Sequence, residues 1–211
     1  MISQLSPINP VKPEPRRLIL ASTSVYRREL LMRLKLPFAC VAPGGVGTPG
    51  AAEAPLGVAT RLAREKAAAV ARQYDALVIG ADQVLECDGK ALGKPGDRDG
   101  ARRQLLSLSG RSVRFHSAVC VLDARSNQPA EGVTAIDVRF RALTLQTIER
   151  YLDLEPAFDC VGSAKAEGLG IALLASVTST DPTALIGLPL ILLVDLLRAH
   201  DYPIFDTPVL P

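Results

Sequence analysis

The chain has no tryptophan, and aromatic residues make up only 4% of it. Platforms on which single-stranded bases could stack are therefore scarce. Net charge is only +2, so the broad basic footprint of a nucleic-acid or anionic-membrane binder is missing. There are two histidines, His116 and His200, too few for a histidine-rich metal site. The four cysteines, Cys40, Cys87, Cys120 and Cys160, are widely spaced, and no Cys-x-x-Cys pair suggests zinc or redox chemistry. No apolar run reaches membrane-spanning length, since the stretch from Ala184 to Leu197 is interrupted by Gly187, Pro189 and Asp195. The N-terminus lacks the charged-then-apolar pattern of a secretory signal. Reduced cysteines and no signal lead us to expect a cytoplasmic protein.

The 211 residues suffice for one α/β domain with a sizeable core, and 48% hydrophobic composition favours a globular fold. Residues 1–15 carry four prolines and little apolar period, and read as a flexible lead-in. The domain proper is expected over 16–200, with an irregular proline-containing tail over 201–211.

The chain is organised around Ala76-Leu77-Val78-Ile79-Gly80-Ala81-Asp82-Gln83. The apolar, β-branched start reads as a buried strand, with Asp82 at its end. A carboxylate beside a core strand is costly unless it is paired, metal-bound or facing a cleft. Asp82 therefore either centres a site or caps a turn. Cys87-Asp88-Gly89-Lys90 is a hairpin signal that returns Gly93-Lys94-Pro95 beside Asp82.

Upstream, Leu18-Ile19-Leu20-Ala21 reads as a strand, Ser22-Thr23-Ser24 as a hydroxyl-rich turn, and residues 25–35 as a helix capped by Ser24. Such a helix start offers N–H groups and a positive dipole end to an anion. Arg27 and Arg28, unfavourable to that dipole, make sense if an anion binds; otherwise they are solvated charges. A helix over 55–72 places Lys66 on the apolar side with Val58, Leu62 and Val70. There Lys66 either snorkels outward or reaches into a cleft. A helix capped by Asp97 runs to Leu108. Strands over 114–122 and 134–141 are expected to pair antiparallel. A helix opened by Thr144 should face inward with Leu145, Ile148 and Leu152. Ala164-Lys165-Ala166-Glu167-Gly168-Leu169-Gly170 is either a ligand-approaching glycine turn or an ordinary one.

Taken in order, LILASTS-x-x-RR at 18–28, RLAREKA at 61–67, GADQV at 80–84, GKP at 93–95, LSG at 108–110, Gly162-Ser163 and EGLG at 167–170 resemble the Maf-like nucleoside triphosphate pyrophosphatases. The resemblance spans about 18–198. It implies a single elongated α/β domain, with a mixed, curved sheet flanked by helices and a central nucleotide cleft. It also implies cleavage between the α- and β-phosphates, aided by a divalent metal, Mg or Mn. Asp82 is then the general base and a metal ligand, and Ser22, Arg27, Lys66 and Lys94 bind phosphate. Tyr26, Gln83 and Glu167 are similar to the branch that hydrolyses 7-methyl-GTP, where dTTP- and UTP-type members carry Arg, Thr and Gln. N7-methylation makes guanine cationic, which suits an aromatic face and a carboxylate.

The family's acids before the Thr-Pro matching Thr48-Pro49 are replaced here by Gly44-Gly45-Val46-Gly47. Either Asp82 carries more of the work, Glu53 substitutes, or turnover is slow. The alternatives to 7-methyl-GTP hydrolysis are a nucleotide-binding protein with weakened catalysis and a dTTP/UTP-type pyrophosphatase. An Asp-nucleophile phosphatase would want Asp-x-Asp after an early strand, and the chain offers Asp82-Gln83-Val84. The expected partner is the nucleotide, with no membrane and no stable nucleic-acid partner. Family analogy alone suggests a homodimer.

Overall fold

The computed structural model describes residues 16–45 and 53–205. The lead-in over 1–15, the Thr48-Pro49 pair and the end of the tail lie outside the described residues. The strands are β1 (Leu18–Ala21), β2 (Ala39–Val41), β3 (Leu77–Cys87), β4 (Lys90–Leu92), β5 (Ser112–Asp123), β6 (Pro129–Phe140) and β7 (Leu174–Ser179). The helices are α1 (Val25–Met32), α2 (Pro55–Ala71), α3 (Arg98–Leu108), α4 (Leu145–Leu154) and α5 (Leu190–Arg198), with 3-10 turns at Leu169–Leu173 and Ala184–Ile186.

One mixed sheet of seven strands results, in the order β2-β1-β3-β5-β6-β7, with β4 added to β3. β1 runs parallel to β2 and β3, and the remaining pairs are antiparallel. On one face α2 packs through Val58, Leu62 and Val70 against Val78, Val84 and Cys120. The opposite face carries two separate packs. α1 and α5 cover Leu77, Ile79 and Ala81 of β3, while α3 and α4 cover Leu85 and Cys87 further along. Gln83 falls between these two packs.

β3 is longer than its apolar run suggests. Asp82 lies in the middle of the strand, not at its end. Backbone pairing is indifferent to side-chain charge, and β5 accompanies β3 without interruption from Leu77↔Asp123 to Glu86↔Arg114. The other edge is split. β1 pairs with Leu77, Val78 and Ile79, and β4 with Leu85, Glu86 and Cys87. Among the described residues, no strand flanks residues 80–84 on that side.

The Asp88-Gly89 turn has positive φ at both residues (51° and 72°), the mirror-image turn that closes a two-residue hairpin. Asp97 and Thr144 cap α3 and α4 as their sequence positions imply. Leu145, however, is 53% exposed, and Tyr151 takes the inward place beside Ile148 and Leu152. α1 ends at Met32, sooner than expected, and β2 had no clear sequence signal because it is short and half exposed. All four cysteines are free thiols. No helix among the described residues is long and apolar enough to cross a membrane.

Candidate active site

Gly80 sets the site's geometry. A Cβ there would stand 2.1 Å from the Ala63 carbonyl oxygen and 2.6 Å from the Ala67 nitrogen. Glycine on the strand, facing alanines on α2, lets helix and strand backbones touch. Lys66 is thereby brought down onto β3. Its Nζ pairs with the Asp82 carboxylate and donates to the Ala81 carbonyl at 3.3 Å. The two side chains are only 18% and 14% exposed. Lys66 therefore reaches into the cleft and does not snorkel outward.

The turn after β1 forms the facing wall. The Ser22 Oγ accepts from the Ser24 N–H at 3.1 Å, and the Ser24 Oγ caps α1 by accepting from the Arg27 N–H at 3.4 Å. This cap places Tyr26 and Arg27 on the first turn of α1. Arg27 Nε donates to the Gly187 carbonyl at 2.9 Å. Gln83 Nε2 donates to the carbonyls of Ala184 and Leu185, both at 3.0 Å. Arg27 and Gln83 thus tie the 184–187 turn to the cleft from two directions. Gly187, at φ 117°, takes a backbone conformation suited to glycine.

Two adjoining cavities, of about 480 and 130 Å³, lie beside the turn after β1, and the smaller reaches Asp82 and Gln83 of β3. Both are lined by Ser24, Tyr26, Arg27, Lys66, Lys94 and Asp159. Ser22 and Thr23 line the larger, and Asp82 and Gln83 the smaller. A groove of about 750 Å³ along the outer side of α4 contains none of these residues.

Charge in the cleft is unbalanced. Burial lowers the pKa of Lys66, and the neighbouring charge of Arg27 lowers it further, against the pull of Asp82. Burial also lowers the pKa of Arg27, again opposed by Asp82. Lys94 is exposed at the mouth of the cleft and adds to the repulsion on Lys66. Two carboxylates, Asp82 and the more exposed Asp159, thus face three cations, and the positive excess suits a polyanionic ligand.

Of the residues expected from the sequence, Ser22, Tyr26, Arg27, Lys66, Asp82, Gln83 and Lys94 come together here. Glu167 does not line either cavity. It is exposed on its turn; burial raises the pKa of the cleft-lining Cys160, and the charges of Asp159 and, less strongly, Glu167 add to that rise. Glu53 is held by the Arg61 guanidinium at 2.7–3.1 Å and does not line the cleft either. Asp159 was not anticipated, because it lies in an irregular stretch with no periodic pattern. No group of three or more metal-ligating side chains occurs among the described residues. Any metal here would rely on Asp82 and on oxygens brought by a phosphate ligand, which suits a hard cation such as Mg or Mn.

A family model described as "Maf-like protein" matches residues 17–200. A 7-methyl-GTP pyrophosphatase from Xanthomonas oryzae pv. oryzae (strain MAFF 311018) is 57% identical over 183 residues, 86% of this chain and 95% of the relative. A 7-methyl-GTP pyrophosphatase from Burkholderia orbicola (strain AU 1054) is 52% identical over 197 residues, 92% of this chain and 94% of that one. Among solved structures, a HAM1 protein from Coxiella burnetii shares 15% identity at a TM-score of 0.42, covering 59% of this chain and 73% of its own. The chain belongs to the Maf-like family.

Proposed function

We propose that this Maf-like protein is a nucleotide pyrophosphatase that hydrolyses 7-methyl-GTP to 7-methyl-GMP and pyrophosphate. The observation that carries this reading is the sheltered carboxylate of Asp82, only 14% exposed, set among Lys66, Arg27 and Lys94 in one cleft. The relatives named above supply the reaction and the substrate.

Arg27 and Lys94 take the outer phosphates, while the Ser22–Ser24 turn and the start of α1 offer N–H groups to the same chain of oxygens. Lys66 exchanges part of its pairing with Asp82 for a phosphate oxygen. The freed carboxylate then accepts the proton of the attacking water. Charge that builds on the departing pyrophosphate meets cations already fixed in place. A divalent cation held by Asp82 and the phosphates would supply further charge neutralisation at that centre.

Tyr26 and Gln83 bound the cleft where a base would lie. The Gln83 amide nitrogen is spent on the 184–187 turn, which leaves its carbonyl oxygen as an acceptor for the base. Tyr26 offers a ring face to a cationic purine, a gain on the order of 1 kcal/mol. Glu167, beside Cys160, is the third member of this proposed set. A homodimer and a cytoplasmic location belong to the same proposal, on family analogy and cysteine usage.

Pyrophosphate release measured across a nucleotide panel tests this function. The expected order is 7-methyl-GTP above GTP, dTTP and UTP; a preference for dTTP or UTP refutes the substrate assignment. A second reading, a nucleotide binder with weakened turnover, is favoured by the Gly44–Gly47 replacement and by Arg61's hold on Glu53. It predicts calorimetric binding of 7-methyl-GTP without metal-dependent cleavage.

A further inference from the structure

Three side chains, Tyr26 from α1 and Asp159 and Lys165 from one irregular stretch after α4, meet at one end of the cleft. The Tyr26 hydroxyl donates to Asp159 Oδ2 at 3.3 Å. Lys165 Nζ stands 3.8 Å from Asp159 Oδ1 and 5.8 Å from the centroid of the Tyr26 ring. Asp159 lines both cavities, whereas Glu167 lines neither. Asp159 is thus the cavity-lining carboxylate beside the proposed base platform, while Lys165 places a positive charge against the same ring.

We propose that Asp159 is a specificity-determining residue, the carboxylate that favours a positively charged base on Tyr26, with Lys165 as the cation that opposes it. This rests on the reading that the protein acts on an N7-methylated guanine nucleotide. A cationic base stacked on Tyr26 lies close to the carboxylate bonded to that tyrosine's hydroxyl. A neutral base in the same place gains nothing from the net charge of Asp159. Lys165 acts in the reverse sense, because its ammonium repels the cationic base. Asp159 is 61% exposed and Lys165 20%, so solvent screens the acid more than the base and the effect is modest, about fivefold.

The test is the ratio of kcat/KM for 7-methyl-GTP to that for GTP, measured at low salt in the full chain. Asp159→Asn keeps an acceptor for the Tyr26 hydroxyl and removes only the charge. The ratio is expected to fall about fivefold in Asp159→Asn and to rise in Lys165→Met. A purely structural role would slow both nucleotides together and leave the ratio where it was. A wild type that prefers 7-methyl-GTP, joined to an unchanged ratio in Asp159→Asn, overturns this proposal alone. A wild type with no such preference overturns the substrate reading, and this proposal with it.

Discussion

Strand β3 has a charged cluster at its start and another at its middle, and the two are built oppositely. At the start, Asp123 and Asp75 face Arg16 and Arg125, with nitrogen–oxygen distances of 2.7–3.4 Å. Two acids answer two cations there, and each guanidinium is committed to a carboxylate. At the middle, Asp82 answers Lys66, Arg27 and Lys94. The first cluster is neutral, lies where strand partners are complete and ties chain segments together. The second is positively charged and borders the gap that β1 and β4 leave along β3. Ion pairs alone do not mark a site; a surplus of one sign, sheltered and open to a cavity, does.

Substitutions at the two clusters should separate these roles. The largest effect is expected for Asp82→Asn, which should lower kcat/KM by roughly a thousandfold while the circular dichroism spectrum and melting temperature stay near wild type. Full turnover in that variant would remove Asp82 from the chemistry. Lys66→Met should lower kcat/KM about a hundredfold. It should also cost about 2 kcal/mol of stability, because it leaves a sheltered carboxylate without its partner. A denaturant titration showing undiminished stability would mean that the pair contributes nothing to the fold.

Asp123→Asn should leave turnover intact and lower the melting temperature at neutral pH. The Arg16 guanidinium holds the Asp123 carboxyl at about 2, below its ordinary 3.8. A depressed carboxyl adds stability above its unfolded value and loses that stability as pH falls through its folded value. The gap between variant and wild type should therefore be full above pH 4 and close towards pH 2. A gap that persists at pH 2 would assign the effect to packing. The smallest change is expected for Glu149→Gln on α4. That residue pairs with Arg98 and Arg102 on the surface, where exposed ion pairs contribute little. Turnover and melting temperature should both match wild type.

Much of this arrangement could be read before folding. The Ser24 cap, the Asp88-Gly89 hairpin and the long β5–β6 pairing follow from local rules. Lys66 was visible as a charge on an apolar helix face, but whether it would turn inward was not. Its direction was decided by Gly80, whose missing side chain lets α2 lie on β3. Leu145 misled for the opposite reason. Its spacing fits the inner face of α4, yet Tyr151 fills the space against α3 and the sheet. Asp159 gave no signal, since its meaning depends wholly on Tyr26 and Lys165, which are far from it or irregularly placed in the chain.

Residue order alone determined the helices and most of the strands, and it supplied the family motifs with their acids and bases. These depend on neighbours within a few positions, through caps, turns and side-chain period. Only the folded chain decided that β3 runs on past Asp82 and that the sheet edge splits beside it. It also decided that three cations converge near Asp82 and that Asp159 lines their cleft while Glu167 stays outside. Those outcomes depend on backbone contacts between segments distant in sequence, and no local pattern encodes such contacts.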